Sequence, residues 1–211
     1  TNRTIWDEYG VHAPIWGPIY DSTLRHIDPA GGPVPCSLDG LVEPRIEPEI
    51  AFRIARPPHP GMDERGLRAC IDAVAHGFEF VQSLYPAWRF QASDTVAAFA
   101  LHGRYWCGPL APVAPAGRDD WLARLSDFEI VLSRDGAEVD RGIPRNVLDG
   151  PLSALRHFVR GLAEDRLPIG LRPGDLVTTG TVTRAFPIAP GERWSTQLRG
   201  LPLAGLDIVL G

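Results

Sequence analysis

The sequence predicts a β-rich α+β domain. Many short segments carry the β-branched and aromatic residues of strands, two longer segments have the apolar spacing of amphipathic helices, and 22 glycines and 21 prolines mark the loops between them. A chain of 211 residues is long enough to bury one sizeable core. We therefore expect a single domain that spans residues 1–211.

Charge, apolar run length and cysteine usage exclude several classes of protein. A net charge of −5 without any basic run argues against nucleic-acid binding, and no apolar segment approaches the roughly 18 residues needed to span a membrane. Cys36, Cys70 and Cys107 are too widely spaced for a disulfide framework or a zinc pattern. We interpret them as reduced thiols and expect a cytoplasmic protein. All 21 basic residues are arginine, so no lysine of this chain can form a Schiff base.

Residues 46–54 alternate strictly between apolar and mainly polar residues, which predicts a half-buried strand. Glu47 and Glu49 then point to the same face, with Cα atoms roughly 6.5–7 Å apart. Two carboxylates so placed repel each other, and a divalent cation bound by their oxygens removes that repulsion. The alternative is a solvated outer face on which charged residues serve solubility.

A further acidic residue lies in residues 77–85, a segment that is apolar and aromatic enough to form a buried strand. Glu79 lies in the middle of this segment, and carboxylates are rarely buried without a partner. Either an arginine pairs with Glu79, or Glu79 is the third carboxylate of a metal site.

Together these segments resemble the fumarylacetoacetate hydrolase superfamily, and within it the branch of 2-oxopent-4-enoate hydratases and oxalocrotonate decarboxylases. The match covers nearly the whole chain in the order and at about the spacing of the family. The segments that carry it are PRIEPEIAF (44–52), FEFV (78–81), DTVA (94–97), NVL (146–148) with PL (151–152), and PGD (173–175) leading into TGT (179–181). The resemblance implies a rolled, mixed β-sheet with a few flanking helices, like the C-terminal domain of that superfamily.

The resemblance also implies the chemistry of the site. Glu47, Glu49 and Glu79 are expected to bind Mg²⁺ or Mn²⁺, which chelates a small α-keto acid and stabilises its enolate. The predicted activity is that of a hydratase acting on a 2-hydroxydienoate or 2-oxo-alkenoate in aromatic catabolism. The alternatives are a decarboxylase, a C–C hydrolase of a β-keto or acylpyruvate acid, and an inactive relative that binds a ligand or serves assembly. A homodimer or larger assembly is expected, with or without a paralogue.

The chain departs from the family pattern at two places. A Gly-x-Lys-x-Gly segment and an N-terminal helical region would precede Thr1, so we expect this family region to be missing upstream of residue 1. Family polar residues are replaced by Ala98, Phe99 and Leu101. We therefore predict that the nearby His102 performs the proton transfer, against the alternative of a buried histidine bonded to backbone.

Five further residues complete the predicted site. Asp94 is either the cap of a short helix that ends at Leu101 or a catalytic group beside the metal. Trp16 lies in a bent aromatic segment that the resemblance places near the substrate, although such a segment can also be a core loop. Thr179, Gly180 and Thr181 face the substrate carboxylate in the family, and their alternative role is turn formation.

The remaining pattern predicts supporting elements. Residues 63–77 read as a helix with His76 in its last turn, and residues 151–165 read as a helix with proline at its first position. A hairpin is predicted around residues 134–136. Further strands are predicted at 176–179, 194–198 and 206–210, and residues 1–10 resemble the end of a helix.

Overall fold

Two mixed β-sheets organise the structure, a computed structural model that describes residues 1–6, 10–114, 118–166 and 169–211. The first sheet has the strand order β1-β5-β4-β3-β10, with β6 also paired to β4 and β9 also paired to β3. Its strands are β1 (Leu24–His26), β3 (Arg45–Ile54), β4 (Ile71–Val81), β5 (His102–Cys107), β6 (Ala111–Pro112), β9 (Leu176–Thr181) and β10 (Phe186–Pro187).

The second sheet has the order β2-β12-β11-β7-β8. Its strands are β2 (Val34–Cys36), β7 (Glu129–Arg134), β8 (Ala137–Gly142), β11 (Arg193–Arg199) and β12 (Asp207–Leu210). The helices are α1 (Glu64–Arg68), α2 (Ala92–Ala97), α3 (Arg118–Ser126) and α4 (Pro151–Glu164). The predicted class, a β-rich α+β domain with a mixed sheet and a few helices, is confirmed.

The two long neighbouring strands β3 and β4 position the site. They pair antiparallel over nearly their whole length, from Arg45 opposite Val81 to Ile54 opposite Ile71. The apolar side chains on one face of β3 point into the buried cores. There Ile46 packs with Phe80 and with Trp194 of the second sheet. The side chains on the opposite, mainly polar face of β3 point away from this core, as the alternation predicts.

The helix predicted over residues 63–77 is wrong. Only Glu64–Arg68 is helical, and the chain is strand from Ile71 onward. The apolar spacing imitates a helix because β4 is buried on both faces and so loses its period of two. Pairing with the ten residues of β3 then overrides the local helical preference.

His76 consequently does not lie at a helix end. It is 2% exposed within β4, and its Nδ1–H donates to the carbonyl oxygen of Glu49 at 3.0 Å. Its Nε2 lies 2.8 Å from the hydroxyl of Thr196 in the second sheet. Burial lowers the pKa of His76 to about 4, so the ring is neutral and joins the two sheets.

Several other predictions agree with the structure. The turn residues Asp135 and Gly136 both have positive φ and connect β7 to β8, as a two-residue hairpin turn requires. The helix α4 begins with Pro151, and strands β9, β11 and β12 lie where they were expected. At the start of the chain the structure has a 3₁₀ turn, Arg3–Ile5, and residues 7–9 of the predicted helix end lie outside the described residues.

Cys36, Cys70 and Cys107 are buried free thiols. Among the helices within the described ranges, none is both long and apolar enough to cross a bilayer.

Candidate functional site

Three carboxylates converge on one face of the β3–β4 pair. Glu47 lies directly opposite Glu79, and Glu49 follows two residues further along β3. One carboxylate oxygen from each of the three lies within 4.8 Å of the others. The strand pairing therefore brings together the three residues that the sequence proposed as metal ligands.

Burial and mutual repulsion dominate the electrostatics of these carboxylates. Burial, followed by the charge of Glu79, raises the pKa of Glu47 to about 8. Burial and then the charges of Glu79 and Glu47 hold the pKa of Glu49 well above its usual range, although a hydrogen bond from Gly180 acts in the opposite direction. The raised pKa values favour the protonated forms of Glu47 and Glu49 unless a positive charge neutralises them. Three clustered carboxylate oxygens are the donor set of a hard divalent cation, so these residues fit one.

A backbone donor holds Glu49 in position. The N–H of Gly180 donates to Oε2 of Glu49 at 2.9 Å. Gly180 has φ +99°, a conformation that favours glycine, and it lies where β9 runs beside β3. Gly180 therefore belongs to the site, through Glu49 as its observed partner.

The neighbouring hydroxyls are bonded to the backbone. Thr179 donates to the carbonyl of Ile50 at 2.9 Å, and Thr181 donates to the carbonyl of Thr183 at 3.1 Å. Both threonines are buried and line the same cavity as the carboxylates. Their predicted contact with the substrate carboxylate, like that of Gly180, stays a prediction.

His102 is joined to the third carboxylate. It begins β5, and its Nδ1 lies 2.6 Å from Oε1 of Glu79. Its Nε2 lies 2.8 Å from the hydroxyl of Thr23. The ring of His102 is thus bonded to two side chains, where the alternative interpretation expected backbone. Thr23 was not singled out from the sequence, because only the parallel pairing of β1 with β5 brings it to this position.

A left-handed turn leads into His102. Phe99, Ala100 and Leu101 have φ values of +53°, +57° and +66°, and this conformation costs about 1–2 kcal/mol per residue with a side chain. Gly17 packs against the turn, because a Cβ at Gly17 would lie 2.6 Å from the carbonyl oxygen of Phe99. The predicted helix through Leu101 therefore ends at Ala97, and the strained turn sets the start of β5.

An open cavity of about 1050 Å³ lies over the carboxylates, large enough for a small organic acid. Trp16 lines it and packs edge-to-face on Phe158 of α4, with ring centroids 5.4 Å apart. Phe99 and Tyr20 form a second aromatic pair at the rim, with centroids 5.8 Å apart. The structure thus brings Trp16 into the cavity of the carboxylates, and its contact with substrate stays a prediction.

Asp94 serves a helix terminus. Its Oδ2 accepts the N–H of Gln91 at 2.8 Å in a capping box at the start of α2. Of the two roles that the sequence allowed for Asp94, the cap is the one with an observed contact, and the catalytic role stays a prediction.

Comparisons with known proteins bear on the family of the chain. No family model matches the chain. A 2-hydroxyhexa-2,4-dienoate hydratase from Comamonas testosteroni is 28% identical over 202 residues, covering 95% of this chain and 72% of that protein. A 4-oxalocrotonate decarboxylase from Pseudomonas putida is 31% identical over 202 residues, covering 92% of this chain and 69% of that protein. The chain belongs to this hydratase and decarboxylase family.

Solved structures of this hydratase and decarboxylase family support the assignment. A 4-oxalocrotonate decarboxylase from Pseudomonas putida G7, complexed with magnesium and adipate, superposes with a TM-score of 0.85 at 26% identity, covering 100% of this chain and 75% of that chain. Two fumarylacetoacetate hydrolase family structures, at 17% and 18% identity, share the fold with TM-scores of 0.66 and 0.60. The resemblance to the branch of hydratases and decarboxylases is therefore confirmed.

Proposed function

We propose that this protein is a divalent-metal-dependent hydratase that adds water to a 2-hydroxydienoate, or to its 2-oxo-alkenoate form, through an enolate. The observation that carries the proposal is the convergence of Glu47, Glu49 and Glu79 in a cavity open to small molecules. The name of the 28% identical hydratase supports water addition as the reaction and a dienoate as the substrate class.

We infer Mg²⁺ or Mn²⁺ as the cation, because the three ligands offer carboxylate oxygens alone. The magnesium in the related decarboxylase structure supports this choice. When bound, such a cation supplies Lewis-acid stabilisation of negative charge on the 2-oxo oxygen. The chain itself orients the ligands, with Gly180 bonded to Glu49 and His102 bonded to Glu79.

The remaining residues of the cavity bind the organic part of the substrate and move its proton. Trp16 and Phe158 offer an aromatic wall to the apolar carbon chain of a dienoate. His102 is the candidate for proton transfer, since it lines the cavity and is already bonded to Glu79. Thr179 and Thr181 line the same cavity, and their assignment to the carboxylate of the substrate rests on the family resemblance.

Decarboxylation is the second candidate. It is favoured by the 31% identical relative and by the structure with a TM-score of 0.85, both of which are 4-oxalocrotonate decarboxylases. Both reactions form an enolate of a 2-oxo acid, so the same three carboxylates serve either one.

We also propose a cytoplasmic homodimer or larger assembly, with or without a paralogue, that acts in aromatic catabolism. The three buried free thiols support a reducing compartment. The assembly and the pathway follow from the family resemblance.

The test is turnover of two substrates by metal-loaded protein. Purified protein with Mg²⁺ or Mn²⁺ is mixed with 2-hydroxyhexa-2,4-dienoate, and loss of the dienoate absorbance is followed. In parallel, release of carbon dioxide from 4-oxalocrotonate is measured. Glu79→Gln serves as the matched control, because it keeps the size of the side chain and removes the charge.

The hydratase proposal predicts metal-dependent loss of the dienoate that chelation abolishes and that Glu79→Gln lacks. Release of carbon dioxide from 4-oxalocrotonate without water addition to the dienoate would favour decarboxylation as the function instead. Turnover that persists in metal-free protein would contradict both candidates.

A further inference from the structure

The hydroxyl of Tyr105 is an unusual feature next to the carboxylates. Tyr105 is 0% exposed, and within the described part of the chain its hydroxyl has no hydrogen-bond partner. Buried polar groups almost always have a partner, because leaving one unpaired destabilises the fold. A tyrosine at this position therefore needs an explanation that packing alone does not supply.

The strand register puts this hydroxyl beside Glu49. Tyr105 of β5 lies opposite Glu79 of β4, and its ring extends over Gly77, where a Cβ would lie 2.3 Å from the tyrosine hydroxyl. Gly77 in turn lies opposite Glu49 of β3. Directly opposite residues have Cβ atoms about 4.5–5.5 Å apart. The hydroxyl thus occupies the space next to Glu49 that a side chain at position 77 would otherwise fill.

Packing explains the ring of Tyr105 but not its oxygen. The ring lies in a small buried cluster with Ala51, Ala75 and Cys107, and a phenylalanine has the same ring. A tyrosine hydroxyl has an ordinary pKa of about 10 and donates one hydrogen bond. The hydroxyl keeps its proton and is available as a donor.

We propose that Tyr105 is a positioning residue of the metal centre, whose hydroxyl donates a hydrogen bond to the carboxylate of Glu49 when the cation is bound. Glu49 is the acceptor because it lies across from Gly77, over which the hydroxyl extends. A cation favours the ionised form of the carboxylates that ligate it, and an ionised carboxylate gains from additional donors. This inference rests on the metal site of the proposed function.

The test compares metal affinity with metal-free stability in Tyr105→Phe. Titration calorimetry with Mn²⁺ and with Mg²⁺ gives the affinity, and thermal unfolding after chelation gives the stability. We expect affinity to fall about 10–100-fold, as for other residues that support a metal ligand. The midpoint of metal-free unfolding should not fall, because the hydroxyl has no partner to lose there.

Tyr85→Phe is the matched control. The hydroxyl of Tyr85 donates to the carbonyl of Asp94 at 3.2 Å, apart from the carboxylates. This variant should lose some stability and keep its metal affinity.

Equal metal affinities of wild-type protein and Tyr105→Phe would overturn this inference alone. A loss of metal-free stability in Tyr105→Phe as large as that in the control would also overturn it, because the role would then be structural. Wild-type protein that binds neither ion would overturn the metal centre itself, and this inference with it.

Discussion

Glu47 and Glu79 lie directly opposite each other in the β3–β4 pair, on the face that lines the cavity. Like charges at such positions destabilise a sheet. The sheet tolerates the pair because Glu47 holds its proton, with a pKa raised to about 8. A cation that binds here replaces that proton, which links metal binding, pH and stability.

The first prediction concerns the stability of metal-free protein. The folded-state pKa of Glu47 lies above the value near 4.5 that an unfolded chain has. Between these two values the unfolded state releases the proton and the folded state retains it, so the contribution of Glu47 to stability falls as pH rises from about 4.5 to 8. Thermal unfolding in the presence of a chelator at pH 5, 6, 7 and 8 measures this loss.

Glu47→Gln isolates that contribution from the other titrating groups. The variant should lose less stability than wild-type protein over the same interval, because glutamine has no proton to release. Identical pH profiles for the two proteins would show that the pKa of Glu47 is not raised.

The second prediction concerns proton release on metal binding. At pH 7 Glu47 is mostly protonated in the metal-free protein, and a ligating carboxylate must be ionised. Binding of Mg²⁺ should therefore release protons, and its affinity should increase from pH 6 to pH 8. Calorimetric titrations in buffers of different ionisation enthalpy count the protons. An affinity that does not change over this range would contradict the raised pKa.

Part of the site could be predicted from the sequence because strand geometry is simple. Alternation in β3 assigns Glu47 and Glu49 to one face, and Glu79 stands out as a carboxylate in an apolar strand. The family resemblance then joined these two strands. Neither observation required knowledge of which strands pair.

The rest depended on contacts between distant segments. Thr23 reaches His102 only because β1 pairs with β5, and Gly180 reaches Glu49 only because β9 runs along β3. The misassigned helix over residues 63–77 has the same origin, since a strand buried on both faces gives no alternating signal. In the sequence Tyr105 is likewise an ordinary aromatic residue of a predicted strand. Only the structure shows that its side chain lies over Gly77.

The third prediction concerns His102. Glutamine retains much of the hydrogen bonding to Glu79 and Thr23 but cannot accept or release a proton near neutral pH. We expect His102→Gln to lower turnover about 10²–10⁴-fold while metal remains bound. Turnover and calorimetric metal affinity are measured on the same preparation. Wild-type turnover with an unchanged pH profile would rule out proton transfer by His102.

Thr23→Val is the companion variant, because it removes the hydroxyl next to Nε2 of His102 and keeps the shape of the side chain. It should lower turnover less than His102→Gln does. An equal loss in both variants would indicate that orientation of the ring, and not its proton, is what matters.

The fourth prediction separates the two roles of Asp94. As part of a capping box, Asp94→Ala should lower the free energy of unfolding by about 1 kcal/mol and leave metal affinity unchanged. Denaturant unfolding and calorimetry give the two quantities. Weaker metal binding without a loss of stability would favour the role beside the metal.

The most direct test of the central claim is a crystal structure of the protein saturated with Mg²⁺. The account predicts one ion in contact with carboxylate oxygens of Glu47, Glu49 and Glu79, each about 2.0–2.1 Å away. An ion bound elsewhere, or no ion between these three side chains at saturating Mg²⁺, would contradict it.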